Sequence, residues 1–271
     1  MDKKFVYIPF IILAFALLVF LCSWFMSNIE SRHIMNDARS AELSITSNLQ
    51  ELENMHTYLS ETVRLMVLQG ATYEMVSKYI TNINDYAFGN EKFKKYSIKV
   101  YGFFDVFDEA SYTLSDRPWY KAAVEANGKT AVTEPYIAMA TGIYTLTFTR
   151  RIFNPEGKPL GIVCLDIVLD GVRELITNTH FAYNGYGILL NSKFEIIAHP
   201  DNTMLGKKMT DINSRAAILF FRQLKNGWYI AAIIPEETYF KEMRTSIIVL
   251  GIILAALFIF MAKKLAFANK K

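Results

Sequence analysis

The stretch GIYTLTFTRRIFNPEGKPLGIVCLDIVL, Gly142–Leu169, decides how this chain folds. β-Branched and aromatic residues crowd Gly142–Phe153 and again Leu160–Leu169, and Asn154–Gly157 (NPEG) between them is a turn. Two such runs about one short turn read as an antiparallel hairpin. Upstream, YSIKVYGFFDVF (Tyr96–Phe107) has the same composition and is a further strand. DRPWYKAAVEANG (Asp116–Gly128) reads as a short helix, with Asp116 as N-cap, Pro118 near the first turn and Gly128 as the stop. Downstream, DGVRELITNT (Asp170–Thr179) is another helix. Tyr186–Pro200 is then strand, polar turn and strand; a loop and a short helix follow, and GWYIAAIIP (Gly227–Pro235) is one more strand. A larger α/β unit, residues 83–178, is thus followed by a smaller one, residues 179–240.

Ahead of both units the period changes. From Ser27 to about Lys78, Ile34, Ala41, Leu49, Leu52, Met55, Leu59, Val63 and Met66 recur mostly at three- and four-residue steps, with no proline and a late Gly70. That pattern predicts one long stalk helix within residues 27–82, whose apolar stripe packs on the domain or on a second stalk.

The flanks are more apolar still. Of 271 residues 52% are hydrophobic, too many for an ordinary soluble protein. Phe5–Met26 contains no charge and at helical rise reaches about 33 Å, enough to cross a bilayer core. Thr245–Ala262 is uncharged too, at about 27 Å. Residues 5–26 and 245–262 are therefore expected to be transmembrane helices. A cleaved signal peptide fits the first poorly, because its apolar run is too long and no small-x-small site follows. Leu21 before Cys22 also argues against a lipoprotein. Lys3 and Lys4 precede the first span, and Lys263, Lys264, Lys270 and Lys271 follow the second. Basic residues mark the cytoplasmic side, so residues 1–4 and 263–271 are cytoplasmic and the domain between the spans lies outside.

The formal net charge of +3 then has a simple source. The two cytoplasmic ends hold six lysines and Asp2, which leaves the rest of the chain at −2. No basic stripe remains for nucleic acid, and that class is excluded. Cys22 in the membrane and Cys164 in a strand cannot meet, so no disulfide is expected despite the oxidising compartment. His33, His56, His180 and His199 are scattered and lack ligand spacing, and no nucleophile elbow, phosphate loop or zinc motif occurs. No enzyme, metal or cofactor is expected.

A different constellation stands out. Tyr112, Arg117, Trp119 and Tyr120 fall within nine residues, TEPYIAMATG (Thr133–Gly142) follows, and Asp166 interrupts an apolar strand. Each has an ordinary reading: a surface ion pair for Arg117, core for Trp119 and Tyr120, a water-facing strand position for Asp166. Taken together they suit a small zwitterion. An arginine fork grips a carboxylate, an acid holds an ammonium group, and aromatic rings supply apolar walls and hydroxyl donors.

In that order and spacing, DRPWY, EPYIAMATG, GIVCLDI, YGILLNSKFEIIAHPD, GKKM and GWYIAAIIP, framed by two spans and a long first helix, resemble the double Cache ectodomain family of bacterial chemoreceptors, sensor kinases and cyclic-dinucleotide enzymes. The resemblance runs from about Ser27 to Phe240. It implies an α+β ectodomain of two PAS-like antiparallel-sheet modules, membrane-distal (83–178) and membrane-proximal (179–240), on the bacterial inner membrane, with the ligand in the distal one. In the amino-acid-binding branch of that family, the resemblance assigns ligand contacts to Tyr112, Arg117, Trp119, Tyr120, Tyr136 and Asp166. Arg117 would grip a carboxylate and Asp166 an ammonium group. One position departs: Ala138 stands where that branch has a first ammonium-binding aspartate. An amino acid, a modified amino acid or a carboxylate without an amine is therefore the expected ligand, with a membrane-anchored binding or scaffold protein of degenerate pocket as the alternative. A homodimer is expected, with signalling by population shift through the stalk or second span. After Ala262 only KKLAFANKK remains. The sensing part of a longer protein or a stand-alone receptor with a separate cytoplasmic effector both fit; the lysine-rich tail favours the second.

Overall fold

In the computed structural model the residues described are 3–87, 89, 91–107, 114–212, 217–224 and 226–268; side chains at 3–12, 14, 15, 26, 30, 87, 91, 92, 217–219, 242, 243, 258 and 261–268 are not among them. The spine is α1, Lys3–Leu68, a helix of 66 residues. The apolar run and most of the stalk segment are one uninterrupted helix. Its inward stripe, Ile34, Ala38, Ala41, Ile45, Leu52, Leu59 and Val63, is buried, as the three-four spacing predicts. The stalk does not continue as one helix to Lys78. Gly70 adopts φ +82°, a left-handed conformation that ends α1. A separate helix, α2 (Tyr73–Asn82), then starts on Thr72, whose hydroxyl accepts from Met75 N–H.

The larger unit holds α3 (Glu91–Lys94), β1 (Lys99–Phe103), α4 (Pro118–Ala126), β2 (Ala131–Val132), β3 (Tyr136–Ile137), β4 (Tyr144–Phe153) and β5 (Pro159–Val168). The expected hairpin is β4–β5. Its antiparallel register pairs Thr147 with Asp166, and β1 joins the far side of β5, pairing Lys99 with Asp166 and Tyr101 with Cys164. The strand order is β1-β5-β4-β2, with β3 also on β4. Gly161 is required where β1 ends. A Cβ there would lie 2.4 Å from Phe103 O, so the strands come together only around a hydrogen atom. The helix expected over Asp116–Gly128 forms with one change: Arg117, not Asp116, is the N-cap, and Pro118 takes the first helical position. Asn127, left-handed at φ 45°, closes it.

Strand alternation sorts the sheet's two faces. Leu146, Phe148 and Ile152 of β4 and Val163, Leu165 and Ile167 of β5 are buried in the core that includes Ile45, Leu52, Leu59 and Val63 of α1. Each such side chain contributes about 1.5–3 kcal/mol by leaving water. The opposite face is different: Ile162 and Cys164 pack with Trp119 and Ala123 of α4.

Helix α5 (Leu169–Thr177) leads to the smaller unit, with β6 (Tyr186–Leu190), β7 (Ile196–Ala198), β8 (Ala217–Gln223) and β9 (Tyr229–Pro235) in the order β7-β6-β9-β8. Strand β8 corrects the sequence reading, in which no strand stood between β7 and β9. Residues 217–223 pair antiparallel with 229–235 along their whole length, and the intervening turn is closed by Leu224 N–H donating to Trp228 O. The pairing partner, not local propensity, makes this segment a strand. Helix α6, Glu236–Ala268, is the last element described and packs against α1.

Among the described residues no helix is long and apolar enough to cross a membrane. Much of residues 5–26 and the end of 245–262 fall where side chains lie outside the described set. Cys22 and Cys164 are both free thiols.

Candidate ligand-binding site

The outward face of the first sheet floors a cavity of about 670 Å³. Lys99, Tyr101 and Phe103 reach it from β1 because alternate residues of a strand share a face, and Asp166 reaches it from β5. Arg117, Pro118 and Trp119, where α4 begins, and Leu114 form one wall. Tyr136 and Ile137 of β3 and the turn Ala138–Thr141 form another. That turn is tight: Ala138 O accepts from Gly142 N–H at 2.7 Å, and Ala138 N–H donates to Ile143 O at 2.9 Å.

Asp166 is the polar centre. Its Oδ1 accepts from the Thr147 hydroxyl at 2.6 Å and from the Tyr101 hydroxyl at 3.1 Å. Thr147 has one hydroxyl hydrogen, and Asp166 takes it, so at the 2.8 Å contact between Tyr136 and Thr147 the donor is Tyr136. Three hydroxyls thus point, directly or in relay, at one carboxylate oxygen. Burial raises the Asp166 carboxyl above the usual carboxylate range, while the Thr147 and Tyr101 bonds and the nearby Lys99 charge hold it down. Burial also pushes the Tyr136 phenol up to about 12 and Tyr101 far above its ordinary value. Both stay protonated donors at neutral pH. Asp166 Oδ2 accepts no bond among the described residues and is available to the cavity.

The apolar wall is an aromatic stack. Trp119 lies parallel to Phe103 with centroids 5.1 Å apart, and Tyr101 meets Trp119 edge-on at 6.0 Å. These are the preferred geometries of ring pairs. Arg117 Nη2 lies 2.6 Å from Met139 Sδ, which joins the α4 wall to the turn.

Of the residues singled out in the sequence, Arg117, Trp119, Tyr136 and Asp166 are brought together on this cavity. Tyr112 lies outside the described residues. Tyr120 is not among the residues that line the cavity; it meets the Trp119 ring edge-on at 6.2 Å. Lys99, Tyr101, Phe103 and Thr147 were not anticipated. The first three carried a signal, the every-second-residue spacing within Lys99–Phe103. Thr147 sits in the alternation Thr145, Thr147, Thr149, three threonines that are all buried. Among the described residues no group of three or more His, Cys, Asp or Glu is placed to hold a metal ion.

A family model described as Cache domain matches residues 26–243. The methyl-accepting chemotaxis protein PscA of Pseudomonas syringae pv. tomato is 26% identical over 260 residues, covering 79% of this chain and 40% of PscA. The chain thus spans about two fifths of the length of the first curated relatives it matches. Among solved structures, the ligand-binding domain of the Pseudomonas aeruginosa PAO1 amino acid chemoreceptor PctB in complex with L-Arg matches with a TM-score of 0.62 at 21% identity, over 79% of this chain and 97% of that one. The ligand-binding domain of PctC from the same organism, in complex with GABA, matches with a TM-score of 0.59 at 18% identity, over 75% and 99%. At these identities the likeness is one of fold.

Proposed function

This chain belongs to the Cache domain family, and on that premise we propose that it is the small-molecule sensor of a bacterial membrane receptor, binding an amino acid or related carboxylate in the cavity of the first sheet. The observation that carries the reading is Asp166: a carboxylate with two hydrogen bonds on one oxygen and the other left to a cavity walled by Arg117 and an aromatic stack. The open Oδ2 and the aromatic stack give a ligand a polar and an apolar anchor in one cavity. Arg117 offers the fork for a ligand carboxylate. The relatives PctB, seen with L-Arg, and PctC, seen with GABA, support this class of ligand.

The reading extends to the membrane. Residues 5–26 and 245–262 are taken as spans that place residues 27–244 outside, with the first sheet as the membrane-distal module of 83–178, the second as the membrane-proximal module of 179–240 and both ends cytoplasmic. Exposed apolar side chains support this: Leu13, Leu17, Phe20, Trp24 and Phe25 on α1, and Ile248, Ile252, Leu257 and Phe260 on α6. Helices apolar on their outer faces suit lipid better than water. Ligand binding then biases α1, which packs on both sheets, in a homodimeric receptor that reports to a cytoplasmic effector. No catalytic role is proposed.

Ala138, a methyl group on the cavity wall, favours the second reading, a membrane-anchored binding or scaffold protein with a degenerate pocket. Calorimetric titration of the detergent-purified full chain with amino acids and small carboxylates separates the two. The sensor reading expects a ligand whose affinity falls by about 30-fold or more in Arg117→Ala, the usual cost of removing one side of a buried charge pair. A folded chain indifferent to every compound leaves the scaffold reading standing.

A further inference from the structure

Three side chains stand in one row across three neighbouring strands of the first sheet. Lys99 of β1 pairs with Asp166 of β5, and Asp166 pairs with Thr147 of β4. Directly paired residues of antiparallel strands point to the same face with Cβ atoms about 5 Å apart. Lys99 and Asp166 both line the cavity, and the Lys99 charge favours the Asp166 carboxylate. The Lys99 ammonium makes no hydrogen bond or ion pair among the described residues. It is a flexible cation anchored directly across the strand from the acid that a ligand amine would seek.

Two further features lower what such an amine gains. Thr147 and Tyr101 already occupy Asp166 Oδ1, so one carboxylate oxygen is left for a group with three N–H donors. Ala138 offers a methyl group on the adjoining wall. Donors buried without acceptors cost free energy that a ligand lacking them avoids.

We propose that Lys99 takes the place of a ligand ammonium group: it balances Asp166 from within the protein, and the cavity selects carboxylates without an amino group over the corresponding amino acids. The proposal rests on the reading of this cavity as a ligand site. Phe103 and Trp119, stacked at 5.1 Å, suit an apolar body behind the carboxylate.

Matched pairs test it by calorimetric titration of the full chain: isocaproate against L-leucine, hydrocinnamate against L-phenylalanine, butyrate against GABA. The wild type is expected to bind the acid of a pair at least about tenfold more tightly than its amine-bearing counterpart. Lys99→Met is expected to reverse that order, because Asp166 then recruits the ligand ammonium, whereas Lys99→Arg keeps it. Lys99 is an exposed residue at the start of β1, so neither change disturbs the core. An amino acid preferred by the wild type, with Arg117-dependent affinity that Lys99→Met leaves unchanged, overturns the inference and leaves the ligand-site reading intact. No binding of either member of any pair, by a chain of native circular dichroism, overturns both.

Discussion

The two sheets use their outward faces in opposite ways. Both turn one face to α1. The outward face of the second is filled by Ile188, Leu190, Ile196, Ile212, Ala231 and Ile233, with Met204, Leu205 and Met209 packed against them. The outward face of the first carries Lys99, Tyr101, Phe103 and Asp166 on a cavity, with Thr147 hydrogen-bonded to Asp166. Similar backbones, differing in alternate side chains, yield a packed face in one case and a receptive one in the other. Polar groups fasten both sheets to α1. Ile34 and Ala38 meet the second sheet through apolar contact, and Arg222 of β8 pairs with Glu42 of α1. The first is fastened by polar groups too: His56 Nε2 donates to Val163 O at 3.0 Å, and Arg150 bridges Gly128 O and Ser60 Oγ at 2.8 and 3.2 Å.

The contrast breaks most visibly in the packed face. Leu190→Ala, at a fully buried site, is expected to lower unfolding free energy by about 2–5 kcal/mol in denaturant titration. Arg117→Ala, on the receptive face, is expected to change stability by about 0.5 kcal/mol or less while removing ligand affinity. Equal destabilisation by the two would erase the distinction.

The polar joint comes next. Burial lowers the His56 imidazole from 6.5 to about 4, against the Val163 bond and with help from the Arg150 charge. A histidine whose folded value lies below its unfolded value stabilises the neutral-pH fold. Its contribution is present above pH 6.5 and is lost as pH falls through 6.5 toward 4, by about 3 kcal/mol in all. His56→Gln is expected to flatten stability across that window when thermal midpoints are compared at several pH values. An unchanged slope would remove His56 from the account.

Smallest is the relay at the cavity floor. Thr147→Val deletes the bond to Asp166 and the acceptor for Tyr136. It should cost about 1 kcal/mol of stability or affinity, a typical value for one hydrogen bond. Thr147→Ser should recover most of it. If valine and serine behave alike in titration and denaturation, the relay has no energetic role.

What the sequence revealed follows the range of the forces involved. The β4–β5 hairpin was legible because its turn and both strands are contiguous, and the start of α4 was legible from Pro118. Arg117, Trp119, Tyr136 and Asp166 could be named through a family pattern. Lys99 and Tyr101 could not be matched to Asp166, because their pairing joins segments more than sixty residues apart and a one-residue slip would turn both away. Strand β8 was missed for a similar reason: its strand state comes from the register with β9.

Hydrogen–deuterium exchange of the full chain, with and without the tightest-binding carboxylate found by titration, tests the central claim most directly. Ligand in the first sheet's cavity predicts slowed exchange over residues 99–103, 117–126 and 136–142, with residues 186–198 of the second sheet unchanged. Protection of 186–198 instead, with the first sheet unaffected, would contradict it.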